Sequence, residues 1–526
     1  MSLMIKFIFS IILTLLTYST TKDFSYVAVG LIELALIFII YNLLIAHKLK
    51  LRVVGDIILF VYNAQMLVLY FGNSFTTLTM LKNVKFLQDL GGKVVVYLIG
   101  AVAVLALTFY PLKKPILKKC DKRILLGLAG LLLLVEVGIH FEYKRFSPVQ
   151  SFATIFADEL RYQHVKRAAA NPEVALATFY QEEVADKVAK SDTLPDKPNI
   201  ILIFTEGLSY NIISDERNVM PNLQELENQS ISFKNYYNHT FPTLRGVQGQ
   251  LYSGYKLNDD AQGNELVSFQ GTLKDMGYST SFINVEPFNE EFVHYCDNLG
   301  FDQVVMDKEN VSGYADGMTD LEAYNLLMDT ANTLHDSDDP FLLSIYTFGT
   351  HVSFDSTDDV FGDGSDQELN KFYNLDKQFG KFLKEFKESP MSKDTLLIFT
   401  TDHATYADQD FTDAFPKHKR ECTDLDIIPF FIYYDGIEPT EIDAKGRNSL
   451  CLTPTLLDFL DINTENYFLG SSLFDKDAYT DYDSMFYDAS YLISTKDGQI
   501  RYLSDLEIDS FLSSVLSYFS ALEAQR

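Results

Sequence analysis

The sequence predicts two unlike parts in one chain: a five-helix transmembrane anchor, then an α/β domain built on a doubly wound sheet. Three observations carry this reading. Long apolar stretches punctuated by basic residues fill the first 141 positions. The charge balance then reverses, from about 16 Lys and Arg against 7 Asp and Glu up to Gln150 to about 27 against 65 beyond it. From Asn199 onward, short apolar runs alternate with helical stretches, the pattern of a sheet covered on both faces. At 526 residues the chain exceeds what one hydrophobic core organises.

The apolar stretches lie near 4–20, 26–46, 54–73, 93–112 and 124–141. Each approaches the ~20 residues a helix needs to cross a hydrocarbon core. Lys6 before an apolar run resembles a signal peptide, but no small-x-small cleavage site follows and four further stretches do, so the first is read as retained. Basic loops at His47–Arg52 and Lys113–Arg123 belong in the cytoplasm by the positive-inside rule. The N-terminus is then inside, and an odd number of spans puts everything after residue 142 outside. Residues 142–195, with a break near Ala168–Pro172, read as an amphipathic juxtamembrane connector, and 196–526 as the extracytoplasmic domain.

The net charge of −29 argues against nucleic acid as a partner, because phosphate backbones call for Lys and Arg. It leaves phosphate esters open, since a bound cation inverts the local sign. Cys120, Cys296, Cys422 and Cys451 form no CxxC motif. An outward location allows one disulfide among the last three, with the pair unspecified.

In the second part, Ile200–Phe204, Thr280–Asn284, Phe341–Tyr346, Thr395–Thr400 and Ile428–Tyr433 are continuous apolar runs of the kind buried in parallel sheets. Asn222–Glu227 and Leu369–Asp376 read as helices between them. Such folds bind ligands beyond the C-terminal ends of the strands. Glu206 follows the first run, His351 follows the 341–346 run, and Asp402 and His403 follow the 395–400 run. Carboxylates and imidazoles converging at one sheet edge suit a divalent cation.

At these residues the sequence resembles the alkaline phosphatase/sulfatase superfamily, and within it the membrane-bound lipoteichoic acid synthase and phosphoethanolamine transferase branches. The resemblance runs from Asn199 to Leu473, plus the anchor. It rests on Pro198–Glu206, Met220–Leu223, Ser232–Tyr237, Phe399–His403 and Thr453–Leu460, in the family's order. Sulfatases require Cys or Ser in C/S-x-P-x-R. The segment Thr240–Gly254 has neither at the candidate nucleophile positions, which argues against sulfate esters and leaves Thr240 and Thr243. The family's spacing to the Ser253–Gly254 pair favours Thr243, which would also open a helix whose amides face a phosphate.

The resemblance implies that Glu206, Thr243, Asp402 and His403 hold one cation, Mn²⁺ ahead of Zn²⁺. Thr243 would be the nucleophile and His351 the acid or base beside the substrate. His418, Arg245 and Lys417 are further candidates for binding the substrate's charge. The implied activity moves a phospholipid-derived head group, glycerol phosphate or phosphoethanolamine, to a cell-envelope glycan or lipid through a phosphothreonine. The alternative is a membrane-bound phosphodiesterase or phosphatase. One departure concerns the cargo: Asn284–Glu291 lacks the His and the Phe-Trp-Asn-Arg grip of lipoteichoic acid synthases, and the chain has no Trp.

The topology is testable. A cysteine placed in the 113–123 loop should react with a membrane-impermeant maleimide only after permeabilisation, and one at Asp363 in intact cells. The reverse pattern would invert the orientation.

Overall fold

The computed structural model describes residues 2–47, 51–77, 80–81, 93–110, 117, 121–168, 177–255, 267–337, 339–420, 422, 424–478, 480, 482–488 and 491–524. Most of the two basic loops, Cys120 and the break that follows Ala168 lie outside these residues. The chain divides into two compact units, residues 1–161 with 407–417 and residues 162–406 with 418–526.

All five apolar stretches of the first unit are helical: Ser2–Thr21, Phe24–His47, Arg52–Gly72, Lys93–Thr108 and Lys122–Glu142. Among the described residues, three helices are long and apolar enough to cross a membrane: Phe24–Ile45, Arg52–Gly72 and Lys122–Phe141. Lys6, inside the first apolar stretch, is buried against Asp56 at 2.6 Å. The Tyr41 hydroxyl donates to the same carboxylate at 2.6 Å. Pairing a buried charge avoids the several kcal/mol that a lone one costs, and it ties the first three helices together. The connector contributes the helix Pro148–Ala168.

The second unit is organised by its first strand. β1 (Asn199–Thr205) is buried along its whole length, each large apolar side chain contributing about 1.5–3 kcal/mol by leaving water. The other strands of its sheet are β2 (Ile231–Lys234), β3 (Ser279–Ile283), β4 (Gln303–Val305), β5 (Phe341–Thr347), β6 (Thr395–Thr401), β7 (Phe430–Tyr433) and β8 (Thr440–Asp443). Their order is β4-β3-β5-β1-β6-β7-β2-β8. The sheet was expected to be parallel; it is mixed, because β7 runs antiparallel to both β6 and β2. β2, β4 and β8 are too short and too weakly apolar to read as strands from sequence. A separate three-stranded sheet, β9 (Ser484–Asp488), β10 (Tyr491–Ser494) and β11 (Arg501–Tyr502), lies towards the C-terminus.

The Met220–Leu223 motif acquires a physical reason. Pro221 opens the helix Pro221–Asn228, where a missing N–H costs nothing. The Asp376 carboxylate on the helix Gln367–Glu388 then accepts from the backbone N–H groups of Asn222 at 3.1 Å and Leu223 at 2.8 Å, and from Asn222 Nδ2 at 2.6 Å. Cys296, Cys422 and Cys451 are buried and unpaired, so the disulfide allowed among them does not form.

Asp376→Ala would leave those donors without their acceptor, at about 1–3 kcal/mol. A fall of several degrees in the unfolding temperature of the detergent-solubilised protein is expected, and an unchanged value would refute this account of the motif.

Candidate metal centre

β1 lies between β5 and β6 in parallel register, with Thr205 opposite both Thr347 and Thr401. The next residues therefore emerge side by side at one edge: Glu206 from β1, Asp402 and His403 from β6, and the Phe348–His351 loop from β5. Donor atoms of Glu206, Asp402 and His403 all lie within 4.8 Å of one another, and all three residues are buried.

The fourth group arrives on the helix Thr243–Tyr252. Thr243 Oγ1 donates to Glu206 Oε2 at 3.0 Å. Thr240, the other candidate, is buried with its hydroxyl 3.4 Å from the Phe241 carbonyl. The helix can approach this closely because of Gly246, where a Cβ would lie 2.2 Å from the Asp402 carbonyl oxygen. Gln250 Nε2 fastens the same face by donating to the Thr401 carbonyl at 2.8 Å.

Each cluster residue has one side occupied and the other turned inward. Asp402 Oδ1 accepts from the backbone N–H groups of Gly207 at 2.8 Å and His403 at 2.6 Å. Asp402 Oδ2 is buried with no hydrogen-bond partner. His403 Nδ1 donates to the Ala404 carbonyl at 2.8 Å. That fixes Nε2 as the lone-pair nitrogen, 3.3 Å from Asp402 Oδ2 and 3.5 Å from Glu206 Oε1. Glu206 is braced by the Tyr346 hydroxyl, which donates to Oε2, and by Thr350 Oγ1, which donates to its carbonyl at 2.5 Å.

The electrostatics ask for a cation. Burial, then the Glu206 charge, pushes Asp402 well above the carboxylate range. Burial opposes the charge on Glu206 too, but His403, His351 and the Tyr346 and Thr243 hydroxyls outweigh it and hold that carboxyl low. Burial lowers His403, which favours the neutral ligand form. Two carboxylates, an imidazole and a hydroxyl are donors that Mn²⁺ or Zn²⁺ accepts. The unpartnered Asp402 oxygen fits such an ion, so this set could hold one divalent metal.

The remaining candidates divide. His351 sits on the β5 loop, its ring 5.0 Å from Phe348 and 5.1 Å from Phe354, with Nδ1 3.1 Å from the Val352 carbonyl. His418 Nε2 lies 2.8 Å from Asp426 Oδ2, which Arg420 Nε also reaches at 2.8 Å. Arg245 is buried, 2% exposed, and not at the helix surface. Lys417 is exposed and falls in the other unit, with residues 407–417. Sequence reasoning missed Tyr346, Thr350, Asp424 and Asp426. The two aspartates precede β7, and because that strand is reversed its start lies at the edge where the neighbouring parallel strands end. An inspection of residues after each strand passes over them. Asp424 is buried and pushed up to about 7 by that burial, partly offset by Arg420 and His403.

A buried polar cluster at the C-terminal edge of a mixed α/β sheet, braced by strand-end hydroxyls, is a metalloenzyme architecture. The sulfatase family model matches residues 198–462, just over half of the chain, and the chain belongs to that family, within the alkaline phosphatase superfamily. No curated protein sequence matches it. Among solved structures it is similar to a protein of the alkaline phosphatase superfamily from Vibrio parahaemolyticus, at 18% identity over 70% of this chain and 97% of that one, with a TM-score of 0.53. The lipoteichoic acid synthase LtaP from Listeria monocytogenes is 18% identical over 68% of this chain and 99% of its own, with a TM-score of 0.52. The lipooligosaccharide phosphoethanolamine transferase EptA from Neisseria meningitidis covers 85% of this chain and 95% of its own at 13% identity, with a TM-score of 0.49. The first two likenesses show the fold.

The pKa directions give a pH-dependent prediction. A folded-state pKa above the unfolded value of about 3.9 means that ionising Asp402 removes stability as pH rises between the two. Bound Mn²⁺ or Zn²⁺ would reverse that loss, so the metal should raise the unfolding temperature more near pH 8 than near pH 5. Asp402→Asn should abolish the rise at both. An equal rise in the variant would remove Asp402 from the site.

Proposed function

We propose that this protein is a metal-dependent phosphotransferase that moves a phospholipid-derived head group, glycerol phosphate or phosphoethanolamine, to a cell-envelope glycan or lipid. One observation carries the reading: in a member of the sulfatase family, the hydroxyl set against the acidic cluster belongs to a threonine, Thr243, donating to Glu206. Threonine cannot become the formylglycine that sulfate-ester cleavage needs. The fold shared with LtaP, a lipoteichoic acid synthase, and the apolar N-terminal helices support a lipid donor. In this reading all five N-terminal helices span the membrane, the 142–195 connector leaves it, and the 196–526 domain works outside the cytoplasm.

Glu206, Thr243, Asp402 and His403 would hold the metal, Mn²⁺ before Zn²⁺. When bound, it supplies positive charge that acidifies the threonine hydroxyl and offsets charge on the phosphoryl oxygens. Thr243 Oγ1 attacks phosphorus, its proton leaving along the 3.0 Å contact with Glu206. The bond from phosphorus to the diacylglycerol oxygen breaks, and protonated His351 gives that oxygen its proton. In the second half, His351 takes the proton of the acceptor hydroxyl, whose oxygen displaces Thr243, and Glu206 returns the proton to Thr243 Oγ1 as the phosphorus–threonine bond breaks. His418, held by Asp426, would bind the substrate's charge on the other side. Lys417 and Arg245 keep weaker claims, because one lies in the other unit and one is buried.

The test incubates full-length protein with Mn²⁺ and labelled phospholipids, reading diacylglycerol release and mass added at Thr243. Thr243→Ala should lose activity by about 10³-fold or more. Turnover unchanged in that variant would sink the mechanism. Equal turnover with and without a glycan acceptor would move the reading to a phosphodiesterase.

A further inference from the structure

A second histidine lies behind the same helix and takes no part in the steps above. His239 is fully buried in the segment between β2 and the helix Thr243–Tyr252. Tyr237 bridges to Ile427 and Asn448, and Asn238 Nδ2 donates to the carbonyls of Thr240 at 2.9 Å and Asp424 at 2.8 Å. The segment is therefore fixed on both sides.

Within it, the backbone N–H of His239 donates to Ser449 Oγ at 3.0 Å, and Nδ1 lies 2.6 Å from the same oxygen. Ser449 Oγ accepts that backbone proton on one lone pair and can give its own hydrogen to Nδ1, the arrangement that leaves the ring proton on Nε2, the nitrogen that faces the Arg245 backbone. Nε2 is buried, makes no well-formed hydrogen bond and leans on the backbone of Arg245. Burial pushes the imidazole down to about 3, so the ring is neutral at ordinary pH.

The helix is shaped to receive it. A Cβ at Gly249 would lie 2.1 Å from His239 Nε2 and 2.6 Å from Cε1, just as one at Gly246 would strike the Asp402 carbonyl. Thr243, Gly246 and Gly249 are successive i, i+3 positions and so adjacent along the helix surface. That stripe meets Glu206, Asp402 and His239 in turn. Two of its three contacts tolerate no side chain at all.

Resting on the reading of Thr243 as nucleophile, we propose that His239 is a positioning residue for phosphoryl transfer: its neutral imidazole, braced by Ser449, wedges against the helix and sets the height of Thr243 over Glu206. An imidazole suits this task because it is rigid, sets Nε2 against the helix backbone at Arg245, and meets the Ser449 hydroxyl through Nδ1. Displacing a nucleophile by about 1 Å can cost about 10²-fold in rate while leaving binding intact.

The test uses full-length protein in detergent with bis(p-nitrophenyl) phosphate as a diester and Mn²⁺ as the metal. His239→Leu should lower kcat by about tenfold or more, with KM and the Mn²⁺-induced rise in unfolding temperature within about twofold of wild type. His239→Gln, which restores an N–H donor, should recover much of the rate, and Ser449→Ala should fall between. Wild-type kcat in His239→Leu would overturn the proposal. So would parallel losses of rate, metal response and stability in both His239 variants. If the wild type turns over no diester, the phosphotransfer reading fails by itself, and selective ¹⁵N-histidine spectra decide the positioning. A neutral Nε2–H signal that vanishes in His239→Gln and shifts with Zn²⁺ is expected; an Nδ1–H tautomer, or no shift, would overturn the proposal.

Discussion

Two buried carboxylates at adjacent strand ends dominate this molecule. Glu206 and Asp402 emerge beside each other because β1 and β6 end in register, and both are buried. Like charges in such surroundings either share protons or gather cations. Much of the nearby structure serves that constraint. Backbone amides occupy one oxygen of Asp402, Tyr346 and Thr243 occupy one oxygen of Glu206, and the Ala404 carbonyl holds the His403 proton away from the cluster. The remaining atoms face one another, and Asp402 Oδ2 accepts no hydrogen bond of ordinary geometry.

The helix that brings Thr243 answers to the same constraint from the other direction. A hydroxyl within 3 Å of a buried carboxylate requires the helix backbone to lie almost on the β6 end, and Gly246 makes room for that. Gly249 makes the equivalent room for His239. Local sequence, the acidic cluster and the placement of Thr243 are thus linked through contacts that a single methyl group would break.

The N-terminal unit follows a parallel logic on a smaller scale. Lys6, Tyr41 and Asp56, on three successive helices, satisfy one another at a buried site. Polar side chains inside an apolar bundle persist only when they are mutually paired. From sequence, Lys6 only resembled the charge of a signal peptide, because its partner lies 50 positions away.

What the sequence determined by itself was everything carried by local periodicity and chain order. β1, β5 and β6 were legible because a strand buried on both faces leaves a continuous apolar run. The clustering of Glu206, Asp402 and His403 was legible because a parallel strand hands the residues that follow it to one known edge. Tertiary structure decided the rest. β7 is reversed, and direction leaves no mark in an apolar run, so Asp424 and Asp426 escaped notice although they sit at the same edge. Arg245 was expected to bind the substrate's charge and is buried, while three cysteines eligible for pairing stay apart. Tyr346 and His239 are ordinary residues in their own segments. They gain a role only from partners that are about 140 and 210 positions distant, a separation that no local pattern records.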